Sequence, residues 1–234
     1  MKKKTILLAA LVLTLLSLCL CASAQVKYLG TDVKTQGDWI DVYGKSGTII
    51  FCNKESHNAD LPVPYEPDED QKLFKKGLIK EIVLGSSGVS KAYGWIFNAN
   101  PGDNKKAPWL TDKSNRYAAC VSGRANDVAM TLTVDSNHYR VSIYALDFDT
   151  TARNFQAFGW QGEDKPDDPD DEIAKYTDGV YLIWEVTGNE PFHFYQKNGA
   201  GSVNCVISGV FVDDTASVES NGKISTQWGS IKHK

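Results

Sequence analysis

The chain has 234 residues, of which 42% are apolar, 23% charged and 11% aromatic, and its formal charge is −4. This balance excludes a disordered tail, a collagen-like repeat and a small disulfide-stapled scaffold. The length suits one or two globular domains.

The first segment opens on Lys2, Lys3 and Lys4, runs apolar from Ile6 to Leu20 and ends Ala22-Ser23-Ala24. A basic start, about 15 apolar residues and an A-x-A exit predict a secretory signal peptide over residues 1–24, cleaved after Ala24. The run is shorter than the roughly 20 residues that a transmembrane helix needs. Cys19 and Cys21 each follow a leucine rather than the small residue that precedes a lipobox cysteine. Residues 25–234 then hold 22 Lys and Arg against 29 acids, a charge of −7. So acidic an exported chain argues against nucleic acid as a partner, because that role wants a basic stripe. It has no polybasic or amphipathic anchor and no transmembrane segment after signal cleavage. The expected location is secreted, periplasmic or at the cell surface; oligomeric state is open.

Short apolar or alternating runs follow, and they predict strands. In order they are Trp39–Tyr43, Gly47–Cys52, Leu78–Leu84, Tyr93–Phe97, Arg116–Val121, Asp127–Val134, Tyr139–Leu146, Phe155–Trp160, Val180–Val186, Phe192–Gln196 and Val203–Val212. Clusters such as Ser86-Ser87-Gly88 and Lys197–Gly201 supply turn chemistry between them. Val128, Met130, Leu132 and Val134 alternate with smaller or polar residues, as a half-solvated strand requires. Tyr181–Val186 and Val203–Val212 are apolar on both faces, which predicts central strands covered on each side. The stretch before Gly77 reads as a turn or short helix. This pattern predicts an all-β fold, a β-sandwich or jelly roll, in one domain over residues 25–213 with a polar tail over 214–234.

Five cysteines are present, and Cys52, Cys120 and Cys205 follow the signal segment. Each lies in an apolar run, so three buried thiols and a single bridge are both consistent with the sequence.

In Tyr144–Arg153 (YALDFDTTAR), strand alternation puts Asp147 and Asp149 on the face of Val141, Ile143 and Ala145. Carboxylates that extend an apolar face must be paired, hydrogen-bonded or bound to a cation. Arg153, across a Thr-Thr turn, is the nearby partner for an Asp–Arg clamp. A structural calcium and a catalytic carboxylate pair are the alternatives. The loop Glu163–Glu172 holds seven acids in ten residues without EF-hand spacing, and reads as solvated or as a weak calcium binder. No other cofactor is expected. The chain has no G-x-S-x-G, H-E-x-x-H, Walker or G-x-G-x-x-G motif. His57, His138, His193 and His233 are scattered, and His193 alternates with Pro191 and Tyr195 like a half-buried imidazole. An enzyme is not expected.

The remaining chemistry lies in loop aromatics. Trp109 has Asp112, Asn115 and Arg116 nearby, and Trp160 has Gln161 and Glu163. Flat rings suit the C–H faces of sugars, and amides and acids suit their hydroxyls. Trp109, Trp160, Asp112, Asn115 and Gln161 are therefore the expected ligand-binding residues. Trp184, on one face of a central strand, reads as core.

Four blocks, GTDVKTQGDWIDVYG (Gly30–Gly44), YALDFDTTAR (Tyr144–Arg153), GVYLIWEVTG (Gly179–Gly188) and NCVISGVFVDD (Asn204–Asp214), occur in this order. Their succession resembles a β-sandwich accessory module of secreted bacterial multidomain proteins, found beside glycoside hydrolases. The resemblance runs from about Tyr28 to Asp213 and implies a galactose-binding-like, carbohydrate-binding-module-like fold. It also implies that Trp95 is structural; the insert Asn53–Lys76 and the acidic loop depart from the pattern. The reading is thus an exported, non-catalytic module whose partner is carbohydrate or another extracellular polymer. A structural or protein-interaction protein of the cell envelope is the alternative, and a glycoside hydrolase using Asp147 and Asp149 ranks below both.

Overall fold

The structure, a computed structural model, describes residues 25–51, 60–61, 63–66, 74–75, 77–89, 91–123 and 125–215. The predicted signal segment, Cys52, residues 67–73 and the tail beyond Thr215 lie outside the described residues. Phe74–Lys75, expected within a turn or short helix, are instead a short strand, because their backbone pairs with Thr48 and Ile49.

The described residues contain strands and turns and no helix. A six-stranded antiparallel sheet has the order β1 (Gln25–Asp32), β11 (Val180–Thr187), β8 (His138–Ala145), β13 (Gly209–Asp214), β2 (Gly47–Ile50), β3 (Phe74–Lys75). A five-stranded antiparallel sheet has the order β10 (Asp171–Ile173), β9 (Phe155–Gln161), β12 (Phe192–Asn198), β7 (Val128–Val134), β4 (Ile79–Gly85). A separate pair joins β5 (Ala92–Asn98) to β6 (Ala118–Gly123). The long strands β7, β8, β9, β11, β12 and β13 switch between the two large sheets, as in a jelly roll.

Period-two alternation sends Val141, Ile143 and Ala145 of β8, and Leu182, Trp184 and Val186 of β11, to the inner face. They meet Val128, Met130 and Leu132 of β7, Phe192 and Phe194 of β12, and Phe155 and Ala157 of β9 in one core. Each large side chain buried there contributes about 1.5–3 kcal/mol relative to an exposed one. Trp184 is the central piece, with Tyr28, Phe192 and Phe194 rings 5.2–5.6 Å away. Cys120 and Cys205 are buried free thiols, and burial pushes both well above the ordinary thiol range.

The outer face of the six-stranded sheet carries a second apolar cluster of Trp39, Tyr43, Tyr144, Tyr181, Ile183 and Phe211. It lies under residues 33–46 and 99–117, which explains why β11 and β13 are apolar on both faces.

Further features differ from the sequence expectation. Trp39–Tyr43 is not a strand but a helical turn, in which the Val42 and Tyr43 N–H groups both donate to the Trp39 carbonyl at 3.0 and 2.8 Å. The turn brings Tyr43 onto Tyr181, with centroids 4.4 Å apart, and Trp39 onto Phe211, at 5.1 Å. Strand β1 was not expected, because QVKYLGTD has few apolar residues; it pairs along β11 with a bulge at Gly30, where φ is +116°. Residues 203–208 lead irregularly into β13, with one bridge between Ile207 and Val121.

Candidate functional site

The outer face of the five-stranded sheet is not sealed in this way. Alternation presents Gln156, Phe158 and Trp160 from β9 and His193, Tyr195 and Lys197 from β12. Cross-strand register aligns them in rows: Trp160, His193, Thr131 and Val83, then Phe158, Tyr195, Ala129 and Gly85. Gln156 and Lys197 form a third row. Trp160 stacks on His193 at 5.2 Å and 26°, and Phe158 lies 5.9 Å from Tyr195. Rings on β9 and β12 therefore step down to Ala129, Thr131 and Gly85 on β7 and β4, leaving a trough beside an aromatic wall.

The rings are held in place from behind. Buried Asp127 accepts from the Tyr195 hydroxyl at 2.6 Å, from the Ser87 N–H at 3.1 Å and from the Ser86 hydroxyl. Burial and the Asp127 bond push the Tyr195 phenol up to about 12, so it stays protonated and fixed. Burial holds the His193 imidazole below its ordinary value, and its Nδ1 lies 3.0 Å from Thr131 Oγ1. Trp160 Nε1 is shielded from solvent and has no hydrogen-bond partner among the described residues.

The acidic loop stands over β9 and faces Ser86–Gly88 across the trough. Asp170 Oδ2 accepts from the Gly159 N–H at 2.7 Å and from the core Trp184 Nε1–H at 2.9 Å. Only glycine fits at residue 159, since a Cβ there would come within 2.5 Å of Trp184 Nε1. Asp171 accepts from Tyr28 at 2.7 Å, so both sheets anchor the loop. Lys165 Nζ sits 3.8 Å above the Phe158 ring and helps to bury it. Between this loop and Ser86–Gly88 lies a cavity of about 730 Å³, floored by Trp160, Tyr195, Ala129 and Lys197. That volume is in the range of small-molecule sites. A cavity of about 270 Å³ adjoins it toward His193 and Val83, and one of about 490 Å³ toward Asn154 and Asn198.

Of the expected ligand residues, only Trp160 lines these cavities. Gln161 follows it on the strand, so it projects to the other face, and its Nε2 donates to the Glu190 carbonyl at 2.6 Å. Trp109 packs against the cluster on the six-stranded sheet, at the opposite side of the sandwich. Its Nε1 donates to Asp38 at 2.9 Å, and the Arg116 guanidinium lies 4.3 Å over its ring. Asp112 accepts from the Ser114 N–H, and Asn115 donates to Asn100 and to the Ala99 carbonyl, so both brace the Trp109 loop. The expected ligand residues thus fall in two separate places, because the loop of Trp109 folds over the six-stranded sheet while Trp160 lies on the five-stranded one.

Asp147, Asp149 and Arg153 do form a clamp. Arg153 Nη1 donates to Asp147 Oδ1 at 2.5 Å and also to Asp149, and its Nε donates to Asn204 at 2.9 Å. Asp147 is buried, whereas Asp149 is exposed. One guanidinium holds both carboxylates, which gives them the partner that burial demands. Among the described residues no three His, Cys, Asp or Glu side chains gather as a metal site.

The sequence reading missed Phe158, His193, Tyr195 and Gln156 as groove residues. The available signal was the alternation of 156, 158, 160 and of 193, 195, 197 at period two; which face stays open was not in it.

No protein-family model and no curated protein sequence matches the chain. Among solved structures, the chain is similar to the native structure of a family 35 carbohydrate binding module from Clostridium thermocellum. The TM-score is 0.32 and the identity 10%, over 58% of this chain and 99% of that one. At that distance the similarity says nothing about a ligand.

Proposed function

We propose that the protein is an exported, non-catalytic module that binds carbohydrate on the outer face of its five-stranded sheet. One observation carries this reading: fixed aromatic rings, Trp160 on His193 with Tyr195 beside them, stand over a trough lined by polar groups. A pyranose ring offers an apolar C–H face for stacking and hydroxyls at its edge for Gln156, Lys197, Asp167, Asp168 and Glu172. Rings already braced by Thr131 and Asp127 lose little freedom on binding, which favours affinity. Asp147 and Asp149 share Arg153 rather than flanking a cleft as a glycosidase pair would. The export component rests on the Lys2–Ala24 segment.

A glycan array and isothermal titration with residues 25–234 test the reading. Trp160→Ala is expected to weaken binding at least about tenfold, equivalent to about 1.4 kcal/mol. Trp109→Ala should leave affinity unchanged. Retention of full affinity by Trp160→Ala would overturn the site, and binding to no glycan would favour a protein partner instead.

A further inference from the structure

We infer that the groove takes an internal stretch of an extended, uncharged polysaccharide rather than a chain end; this rests on the carbohydrate reading above. The three cavities on this face are continuous. Ala129 and Trp160 line both the cavity of about 270 Å³ and that of about 730 Å³, and Gln156, Glu172 and Lys197 line both the latter and the cavity of about 490 Å³. The path therefore follows β9 and β12 from Trp160 down to Phe155, five strand residues or about 17 Å. It is longer than one sugar ring, so it accommodates consecutive units.

Both ends run out at exposed residues, Val89 on the turn that follows β4 at one end and Ala200 at the other. A pocket for a chain terminus would instead close around it and aim polar groups at the terminal hydroxyls. The order of side chains also suits a polymer: stacking rings at one end, then Gln156 and Lys197, then the amides of Asn154 and Asn198.

Charge narrows the class. The charged groups on the groove are Lys165, Lys197, Asp167, Asp168 and Glu172, three acids against two lysines. His193 adds no positive charge near neutral pH, since burial lowers its proton affinity. Residues 25–234 carry −7 overall, so a polyuronate meets repulsion and an uncharged backbone does not.

The test uses residues 25–234 with soluble xylan, glucomannan, mixed-linkage β-glucan and polygalacturonate, and with oligosaccharides cut from the neutral polymers. For the neutral polymer that binds, affinity should rise at least about tenfold from the disaccharide to the longest oligosaccharide and then level off. An oligosaccharide capped at both ends should bind as well as the free one. The double variant Asn154→Ala, Asn198→Ala, at the far end of the groove, should weaken the long oligosaccharide and leave the disaccharide unchanged; its melting temperature checks that it folds. Affinity independent of length, loss of binding on capping, or preference for polygalacturonate would each overturn the inference while leaving carbohydrate binding intact. No binding to any of these polymers beside a positive glycan array would overturn the inference alone, and no binding in either would overturn both readings.

Discussion

On the six-stranded sheet, Tyr43, Tyr144, Tyr181 and Phe211 form a ring cluster with centroid spacings of 4.4–6.3 Å. Two loops cover it and satisfy its polar tips. The Tyr43 hydroxyl donates to Asp32 at 2.8 Å, Tyr144 to the Lys106 carbonyl at 2.7 Å, Tyr181 to the Gln36 carbonyl, and Trp39 Nε1 to the Trp109 carbonyl at 2.8 Å. On the five-stranded sheet the rings are just as dense, yet Trp160, His193 and Tyr195 stay half-buried and Trp160 Nε1 has no partner among the described residues. Aromatic content alone therefore does not mark a binding face. What distinguishes the two is whether loops bring acceptors over the rings.

The sharpest way to break the comparison is to empty each face in turn. Phe211→Ala removes a fully buried ring from the covered face and is expected to lower stability by about 3–5 kcal/mol. Chemical denaturation reads the loss, and glycan affinity of the folded fraction should not move. A smaller loss paired with loss of binding would mean that the covered face is the functional one.

The next contrast compares two of the cations that lie over rings, Arg116 and Lys165. Arg116 is buried over Trp109, bonded to Asp38 and to the Ala107 carbonyl at 2.8 Å. Arg116→Ala leaves that carbonyl unsatisfied and should destabilise by about 1–3 kcal/mol. A change within error would show that the Trp109 loop is not braced as described.

The pH dependence isolates the open face. The unfolded chain protonates histidine near pH 6.5, whereas burial keeps folded His193 neutral to lower pH. This stability is present in full above the unfolded value, and is lost as pH falls toward and through the folded one. The melting temperature should therefore fall more between pH 7 and 5 in the wild type than in His193→Gln. Equal slopes would remove His193 as the cause.

The smallest effect is expected for Lys165→Ala. Its ammonium over Phe158 is exposed, so the loss should be about 0.5–1 kcal/mol, read as a slight drop in melting temperature. A larger drop would mean that the acidic loop depends on Lys165 rather than on Asp170 and Asp171.

Much of the fold was legible because its strands obey simple alternation. Val128, Met130 and Leu132 declared one face of β7, and the doubly apolar β11 announced a central strand. At Asp147 the sequence showed that an acid continuing an apolar face needs a partner, but left Arg153, a structural calcium and a catalytic pair as alternatives. Strand β1 was not, because it gains its place from backbone pairing with β11 rather than from apolar side chains. Trp39–Tyr43 misled for the opposite reason: its residues favour strands, but packing on Tyr181 and Phe211 decides its form.

By itself, then, the sequence determined the all-β class, the core faces and the need of Asp147 for a partner. These follow from local periodicity and from the high energy of an unpaired buried charge. Tertiary structure alone decided that Trp109 and Trp160 stand on opposite sides of the sandwich, and that Trp160 joins His193 and Tyr195 over an open trough. Those facts depend on strand register and on where distant loops fold back, which no local stretch of the chain encodes.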